Sequence, residues 1–383
     1  MNAIGRNDLV DATAKASSAL HDAEMTVRRL RKQAQATGPE PGTDLKATGD
    51  TVSIAGHDFP VVLPAKIEAK DENGEIIACD HPDLEAMPDP DPGFKFGLFK
   101  ARLQCGAVRF EHEATDVLKA TVAGDRVLLT GPPGTGKTQM VQQACIRMQW
   151  PFERFNGNRD VTQADFVGQY EARDGSTVWV DGPLPRAMRD GKVLILDEFD
   201  HMPAECSSIM HSVMEPGGRL VMTAKGGEVV KPHANFRIVA TANTAGHGDE
   251  SGQHPAAQVQ DAAMRSRFDL LFHIDYLDVD DEADLVASLT GVDRDEALLM
   301  AQVANDSRQS VAAGDMMHAI SLRETLAWGR ATKRGGDIAY GLAVAVLGKL
   351  PTVDRPGMAE IAQRHLGGLL PASLVTDDAT PQL

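Results

Sequence analysis

The stretch Arg126-Val127-Leu128-Leu129-Thr130-Gly131-Pro132-Pro133-Gly134-Thr135-Gly136-Lys137-Thr138-Gln139 decides how the rest of this 383-residue chain is read. An apolar run ends at Thr130, and a glycine-rich loop leads into a helical pattern over 139–148. The loop satisfies G-x-x-x-x-G-K-[S/T] at every anchor, and it lies between a strand and a helix, as such a loop must. Glycine frees the backbone to curl, so that its N–H groups and the following helix N-terminus converge on a phosphate chain. On this reading Gly131, Pro132, Pro133, Gly134, Thr135, Gly136, Lys137, Thr138 and Gln139 bind ATP. Lys137 reaches the β- and γ-phosphates, and Thr138 places a hydroxyl on Mg²⁺.

Two further strand ends carry chemistry. Val193-Leu194-Ile195-Leu196-Asp197-Glu198-Phe199-Asp200 is a buried apolar run that closes in carboxylates. Asp197 is expected to hold Mg²⁺, and Glu198 to orient and deprotonate the attacking water, with Asp200 next in line for that task. Phe236-Arg237-Ile238-Val239-Ala240-Thr241-Ala242-Asn243 is a second buried run, ending in an amide. Asn243 either hydrogen-bonds the water and the γ-phosphate or is a strand-ending turn residue.

Outward from these motifs, short apolar runs at 126–130, 152–156, 193–196 and 236–241 alternate with helical stretches. Such alternation predicts a parallel sheet with helices on both faces, an α/β fold. Beyond about residue 276 the strand signals stop, and helices are expected at 281–289, 294–311, 321–333, 337–348 and 357–366. The predicted organisation is an N-terminal helix in 1–37, a small β module and acidic linker over 38–86, the α/β core over 87–275, an all-α domain over 276–370 and a tail at 371–383. Within the first of these, Leu9, Thr13, Ala16, Leu20, Ala23, Val27 and Leu30 form a weak heptad seam. It reads either as a helix docked on its own chain or as a partner-binding helix. Runs 51–63 and 65–78 read as strands, the second turning at Asp71-Glu72-Asn73-Gly74-Glu75.

Composition limits the partners. Hydrophobic residues make up 42% and charged residues 24%, as in ordinary globular proteins, and the formal net charge is −17. The acid is concentrated in 38–93, with thirteen acidic and three basic residues. No clustered basic stripe is visible, which argues against nucleic acid as a partner. No apolar run approaches a membrane span and the N-terminus lacks a signal-peptide pattern, so a cytoplasmic location is expected. Cys79, Cys105, Cys145 and Cys206 fit no zinc spacing and read as reduced thiols. His247, Asp249, Glu250 and His254 share one polar loop whose spacing matches no metal site, and it reads as solvated.

The order of these motifs, followed by Met264-Arg265-Ser266-Arg267-Phe268-Asp269, resembles the AAA+ ATPases of the MoxR group. Within the group the chain is most similar to the CobS-type ATPase subunits of aerobic cobaltochelatases. The likeness rests on Lys231-Pro232-His233-Ala234-Asn235-Phe236-Arg237 running into Ala240-Thr241-Ala242-Asn243-Thr244-Ala245-Gly246-His247-Gly248-Asp249. It extends to Met87-Pro88 with Asp91-Pro92-Gly93-Phe94-Lys95-Phe96, and to Ile320-Ser321-Leu322-Arg323-Glu324-Thr325. The resemblance implies a P-loop AAA+ core with β-hairpin insertions, followed by a helical lid. It implies a homo-oligomeric, hexameric ring acting on a protein client, with a von Willebrand A-type partner, and in the sharpest form cobalt insertion for cobalamin biosynthesis. Arg267 then looks like the arginine finger offered to a neighbouring subunit, with Arg265 as runner-up. Arg323 looks like the lid's sensor arginine, and Asn156 matches a position that holds Glu198 in an inactive pose. Hairpins at 168–182 and 217–232 are implied to be the group's two insertions. A motor unrelated to cobalt and a nucleic-acid translocase are the competing readings.

Overall fold

The computed structural model describes residues 49–62, 67–70, 76–79, 87–91, 94, 100–105, 108–173, 175–244 and 262–369. All fall within one compact unit, Leu45–Leu383. The expected N-terminal helix, the turn at 71–75, the polar loop at 247–254 and the tail lie outside the described residues.

A seven-stranded sheet forms the centre. Its strands are β5 (Lys100–Cys105), β6 (Val108–Glu113), β7 (Val127–Thr130), β8 (Phe152–Asn156), β11 (Val193–Asp197), β14 (Arg237–Thr241) and β15 (Leu270–Ile274), in the order β6-β5-β15-β7-β14-β11-β8. The five from β15 to β8 are parallel, and β5 and β6 add an antiparallel edge. Every residue of β7, β11 and β14 is buried. Strands covered on both faces lose the polar alternation, which is why these runs read as uniformly apolar.

The pleat divides the core in two. Val127, Leu129, Val193, Ile195 and Val239 pack on one face, against α1 (Ala114–Ala123) and α2 (Lys137–Arg147). Leu128, Leu194, Leu196, Ile238 and Ala240 pack on the other. That second face is covered by α3 (Gln163–Val167), α4 (Pro183–Asp190) and α5 (Ala204–Val213). Each fully buried aliphatic side chain contributes roughly 1.5–3 kcal/mol.

Residues 51–63 do not form one strand. β1 (Thr51–Ile54) and β2 (His57–Pro60) pair as a tight hairpin, turning at Ala55 (φ 49°) and Gly56 (φ 78°). Ile54, Phe59 and Val62 join the apolar cluster beneath α1 and α2, and Val62 N–H donates to Met148 O at 2.8 Å. β3 (Ile67–Lys70) and β4 (Ile76–Cys79) form a second hairpin. Two more insert into the core. β9 (Gly168–Arg173) pairs with β10 (Ser176–Asp181), and β12 (Leu220–Met222) with β13 (Glu228–Val230).

The lid follows the short α6 (Ala262–Arg265) and β15. It comprises α7 (Val279–Thr290), α8 (Arg294–Ala313), α9 (Leu322–Gly335), α10 (Ile338–Ala345) and α11 (Arg355–Leu366) around one apolar cluster that includes the fully buried Trp328. Local chemistry fixes its boundaries. Asp293 caps α8, Ser321 and Glu324 form a reciprocal capping box on α9, and Asp337 caps α10. Left-handed Gly291, Gly314 and Gly336 end α7, α8 and α9.

Candidate active site

The C-terminal ends of β7, β14 and β11 lie side by side, so Gly131, Asn243 and Asp197 emerge at one edge of the sheet. In open parallel sheets that edge is where ligands bind. The loop after β7 is held from both sides. A Cβ on Gly131 would meet Ile274 O of β15 at 2.0 Å, and one on Gly134 would meet Ser321 Cβ of the lid at 2.7 Å. Gly136 caps α2 in a left-handed conformation with no side-chain acceptor, which leaves the first helical N–H groups for an anion.

Lys137 is buried at the base of this loop. Its Nζ donates to Gly131 O at 2.7 Å and Pro132 O at 2.8 Å, and stands 3.5 Å from Asn243 Oδ1. Burial pulls its pKa down to about 8, opposed by the carboxylates of Asp200, Asp197 and Glu198.

Asp197 is the hub. Thr138 Oγ1 donates to Asp197 Oδ1 at 2.6 Å, and Thr241 Oγ1 donates to the same oxygen. Arg154 Nε donates to Oδ2 at 3.0 Å, with a second contact from the same guanidinium. Burial acts to raise the Asp197 pKa, but these donors outweigh it and hold the carboxyl below its ordinary value. The adjoining Thr138 and Asp197 oxygens suit Mg²⁺, a hard ion that keeps waters and phosphate oxygens as its other ligands. Among the described residues no group of three or more His, Cys, Asp or Glu offers an all-protein metal site.

Glu198 adopts a left-handed backbone, φ 52° and ψ 44°. For a non-glycine residue this costs on the order of 1–3 kcal/mol. Its N–H donates to Thr241 Oγ1 at 3.3 Å, and its side chain is 46% exposed while Asp197 one residue earlier is buried. Adjacent carboxylates are thereby given different surroundings, one for an ion and one open to water. Asn156 stands opposite Asp197 in the β8–β11 register.

The lid contributes from above. Arg323 is exposed at the start of α9, and its backbone N comes within 3.9 Å of the Gly134 Cβ position. Arg267 is placed elsewhere. It donates to Ala263 O at 2.7 Å and pairs with Glu215 Oε1 at 3.0 Å beyond α5, and none of these contacts is to the phosphate loop. So the fold gathers Lys137, Thr138, Asp197, Glu198 and Asn243 beneath the α9 end that bears Arg323, and leaves Arg267 apart. Sequence reasoning missed Arg154 and Thr241. The period of two on β8 puts Arg154 on the same face as Asn156, which was the available signal.

A strand–loop–helix phosphate cradle, an Asp-Glu strand end, a neighbouring strand that leads into Asn243 and a helical lid define a P-loop ATPase of the AAA+ class. The AAA domain of the dynein-related subfamily matches residues 126–268. The chain is 32% identical over 291 residues to the aerobic cobaltochelatase subunit CobS of Sinorhizobium sp, covering 73% of this chain and 83% of that one. It is 28% identical over 232 residues to NorQ of Paracoccus denitrificans, covering 60% and 82% of the two chains. It is 31% identical over 182 residues to CbbQ of Hydrogenophilus thermoluteolus, covering 48% and 65%. The chain therefore belongs to the MoxR group of AAA+ ATPases, and its activity is ATP hydrolysis.

Proposed function

We propose that this ATPase works as a head-to-tail hexameric ring that spends Mg–ATP on remodelling a partner protein. In its sharpest form it is the ATPase subunit of a cytoplasmic cobaltochelatase, driving cobalt into a corrin ring alongside a chelating subunit and a von Willebrand A-type partner. The observation that carries the shared-site reading is the separation of Arg267 from the otherwise assembled set. A site that lacks its transition-state cation in cis is completed when a neighbour supplies it, and heterologous contacts of that kind close into rings.

In this reading Thr138 and Asp197 hold Mg²⁺, which neutralises charge building on the phosphates. Lys137 binds the β- and γ-phosphates, and Glu198 takes the proton of the attacking water. Asn243 positions that water, and Arg323 carries the lid's response to nucleotide. The client-facing parts are the two inserted hairpins. Lys225 pairs with Glu228 at 2.9 Å and lies 3.7 Å from Asp181, and Arg189 pairs with Asp181 at 3.1 Å and also with Glu228. These bonds tie β9–β10 to β12–β13, while Tyr170, Val178, Val221 and Val229 are left exposed along them. The cobalt reading draws support from CobS, the relative matched over the largest share of the chain among the three. The NorQ and CbbQ matches support a second reading, a protein client unrelated to cobalt. The net charge of −17 weighs against a nucleic-acid track.

Purified chain is to be assayed for phosphate release with a chelating subunit, a von Willebrand A-type partner, or duplex DNA added. Stimulation by the two proteins, with ATP-dependent cobalt insertion, is expected. Stimulation by DNA alone would contradict the proposal.

A further inference from the structure

We propose that Asp200 is a positioning residue for hydrolysis: its buried carboxylate clamps the backbone of residues 243–244 and so aims the Asn243 amide. Asp200 is completely buried. Its Oδ2 accepts three hydrogen bonds, from Asn243 N at 3.1 Å, Thr244 N at 3.1 Å and Thr244 Oγ1 at 3.2 Å. Its Oδ1 is buried with no hydrogen-bond partner among the described residues. A buried carboxylate with an idle oxygen is costly. Such unsatisfied groups in a well-packed core call for a functional account.

The local fold shows how the clamp arises. The left-handed turn at Glu198 starts a 3-10 turn over Phe199–His201. That turn leaves Glu198 half-exposed and folds Asp200 inward across the end of β14. Ala242 N–H is already fixed to Leu129 O at 2.8 Å. With Asp200 holding the next two amides, three consecutive peptides after β14 are immobilised, and Asn243 Oδ1 stands 3.5 Å from Lys137 Nζ. The same geometry removes Asp200 as the general base. Its Oδ2 is saturated by donors and neither oxygen is open to water, whereas Glu198 is open.

The inference rests on the reading that Asn243 positions the attacking water. Five proteins separate the two: Asp200→Ala, Asp200→Asn, Asn243→Ala and the doubles Asp200→Ala/Asn243→Ala and Asp200→Asn/Asn243→Ala. Each is measured for affinity with a fluorescent ATP analogue, for kcat by phosphate release, and for a cooperative thermal melt. Asp200→Ala is expected to lose about 10²-fold in kcat, the scale of an ångström-level misplacement, with ATP affinity within about threefold. Asp200→Asn keeps an acceptor and is expected to recover most of kcat. The double Asp200→Ala/Asn243→Ala is expected to be no slower than Asn243→Ala alone, because the two residues act as one unit. A kcat loss that multiplies in that double variant would overturn the inference, as would a folded Asp200→Ala at the parent rate. If Asp200→Ala lacks a cooperative melt, Asp200→Asn decides. Its smaller kcat loss should vanish in the Asn243→Ala background, and an equal loss in both backgrounds overturns the clamp. Asn243→Ala at the parent rate would remove the Asn243 reading itself. Loss in Asn243→Ala with none in the Asp200 variants would remove only the role of Asp200.

Discussion

Glu282 in the lid and Asp200 in the core are both completely buried carboxylates, and they are treated differently. Glu282 is matched on every side: Arg308 donates at 2.6 and 3.0 Å, and Thr325 Oγ1 at 2.8 Å. Arg308 also donates to Ile320 O and covers the ring of Tyr276 at 3.9 Å. Asp200 has one oxygen crowded with donors and one with none. Burial alone therefore does not mark a working residue in this fold. The lid pairs its buried carboxylate with a buried guanidinium, while the core leaves one oxygen of Asp200 without a partner beside Asn243.

The contrast is broken most severely at Lys137. Lys137→Ala removes the one cation that the loop supplies to the phosphates, so phosphate release should become undetectable and ATP binding weak. Normal affinity and turnover would sink the phosphate-loop reading. Glu198→Gln keeps shape and loses the base. It should bind ATP and turn over roughly 10²–10⁴-fold more slowly, checked by single-turnover kinetics beside nucleotide affinity.

The lid side is sharpened by stability rather than rate. Arg308→Ala leaves Glu282 buried and unpaired, and should cost about 3–5 kcal/mol in denaturant unfolding. Replacing Glu282 and Arg308 together by leucine should recover much of that loss. If Arg308→Ala is neutral, the network is not structural.

The smallest effect is a pH dependence at the start of α9. Burial raises the Glu324 pKa, but hydrogen bonds from His318 and Ser321 outweigh it and bring it to about 2. The bond to Glu324 raises that of His318. The Glu324 contribution is complete above its ordinary 4.5 and is lost as pH falls through about 2. The His318 contribution is complete below its ordinary 6.5 and is lost as pH rises through the raised folded value. The melting difference between the parent and His318→Gln should be largest between those two ordinary values and shrink on either side. A difference constant with pH would contradict the pairing.

Much of this was legible beforehand, where one residue type acts locally. β7, β11 and β14 read as strands because both faces are buried, and α8, α9 and α10 carry their own side-chain caps. The helix expected at 294–311 is observed at Arg294–Ala313, between the Asp293 cap and Gly314. The β1–β2 turn was hidden because Ala55 occupies a left-handed position usually signalled by Asn or Gly. β5, β6 and β15 escaped as well. β15 takes its register from β7, more than a hundred residues earlier in the chain. In the site, the phosphate loop and the Asp-Glu strand end were readable as motifs. Arg154 and Thr241 were not, since they reach Asp197 only through strand order. The Arg267–Glu215 pair likewise joins segments with no shared local pattern.

The central claim is that Arg267 completes a neighbour's site rather than its own. Arg267→Ala should bind ATP, assemble, and hydrolyse about 10³-fold more slowly, as when other arginine fingers are removed. The direct measurement is phosphate release from Arg267→Ala titrated with Glu198→Gln, with mixed assembly followed by native mass spectrometry. Each protein alone should be nearly inactive. Together they should regain activity that peaks at intermediate ratios, because a Glu198→Gln subunit offers its intact Arg267 to a neighbour that keeps Glu198. Mixed rings that form at every ratio and release no phosphate would contradict the account.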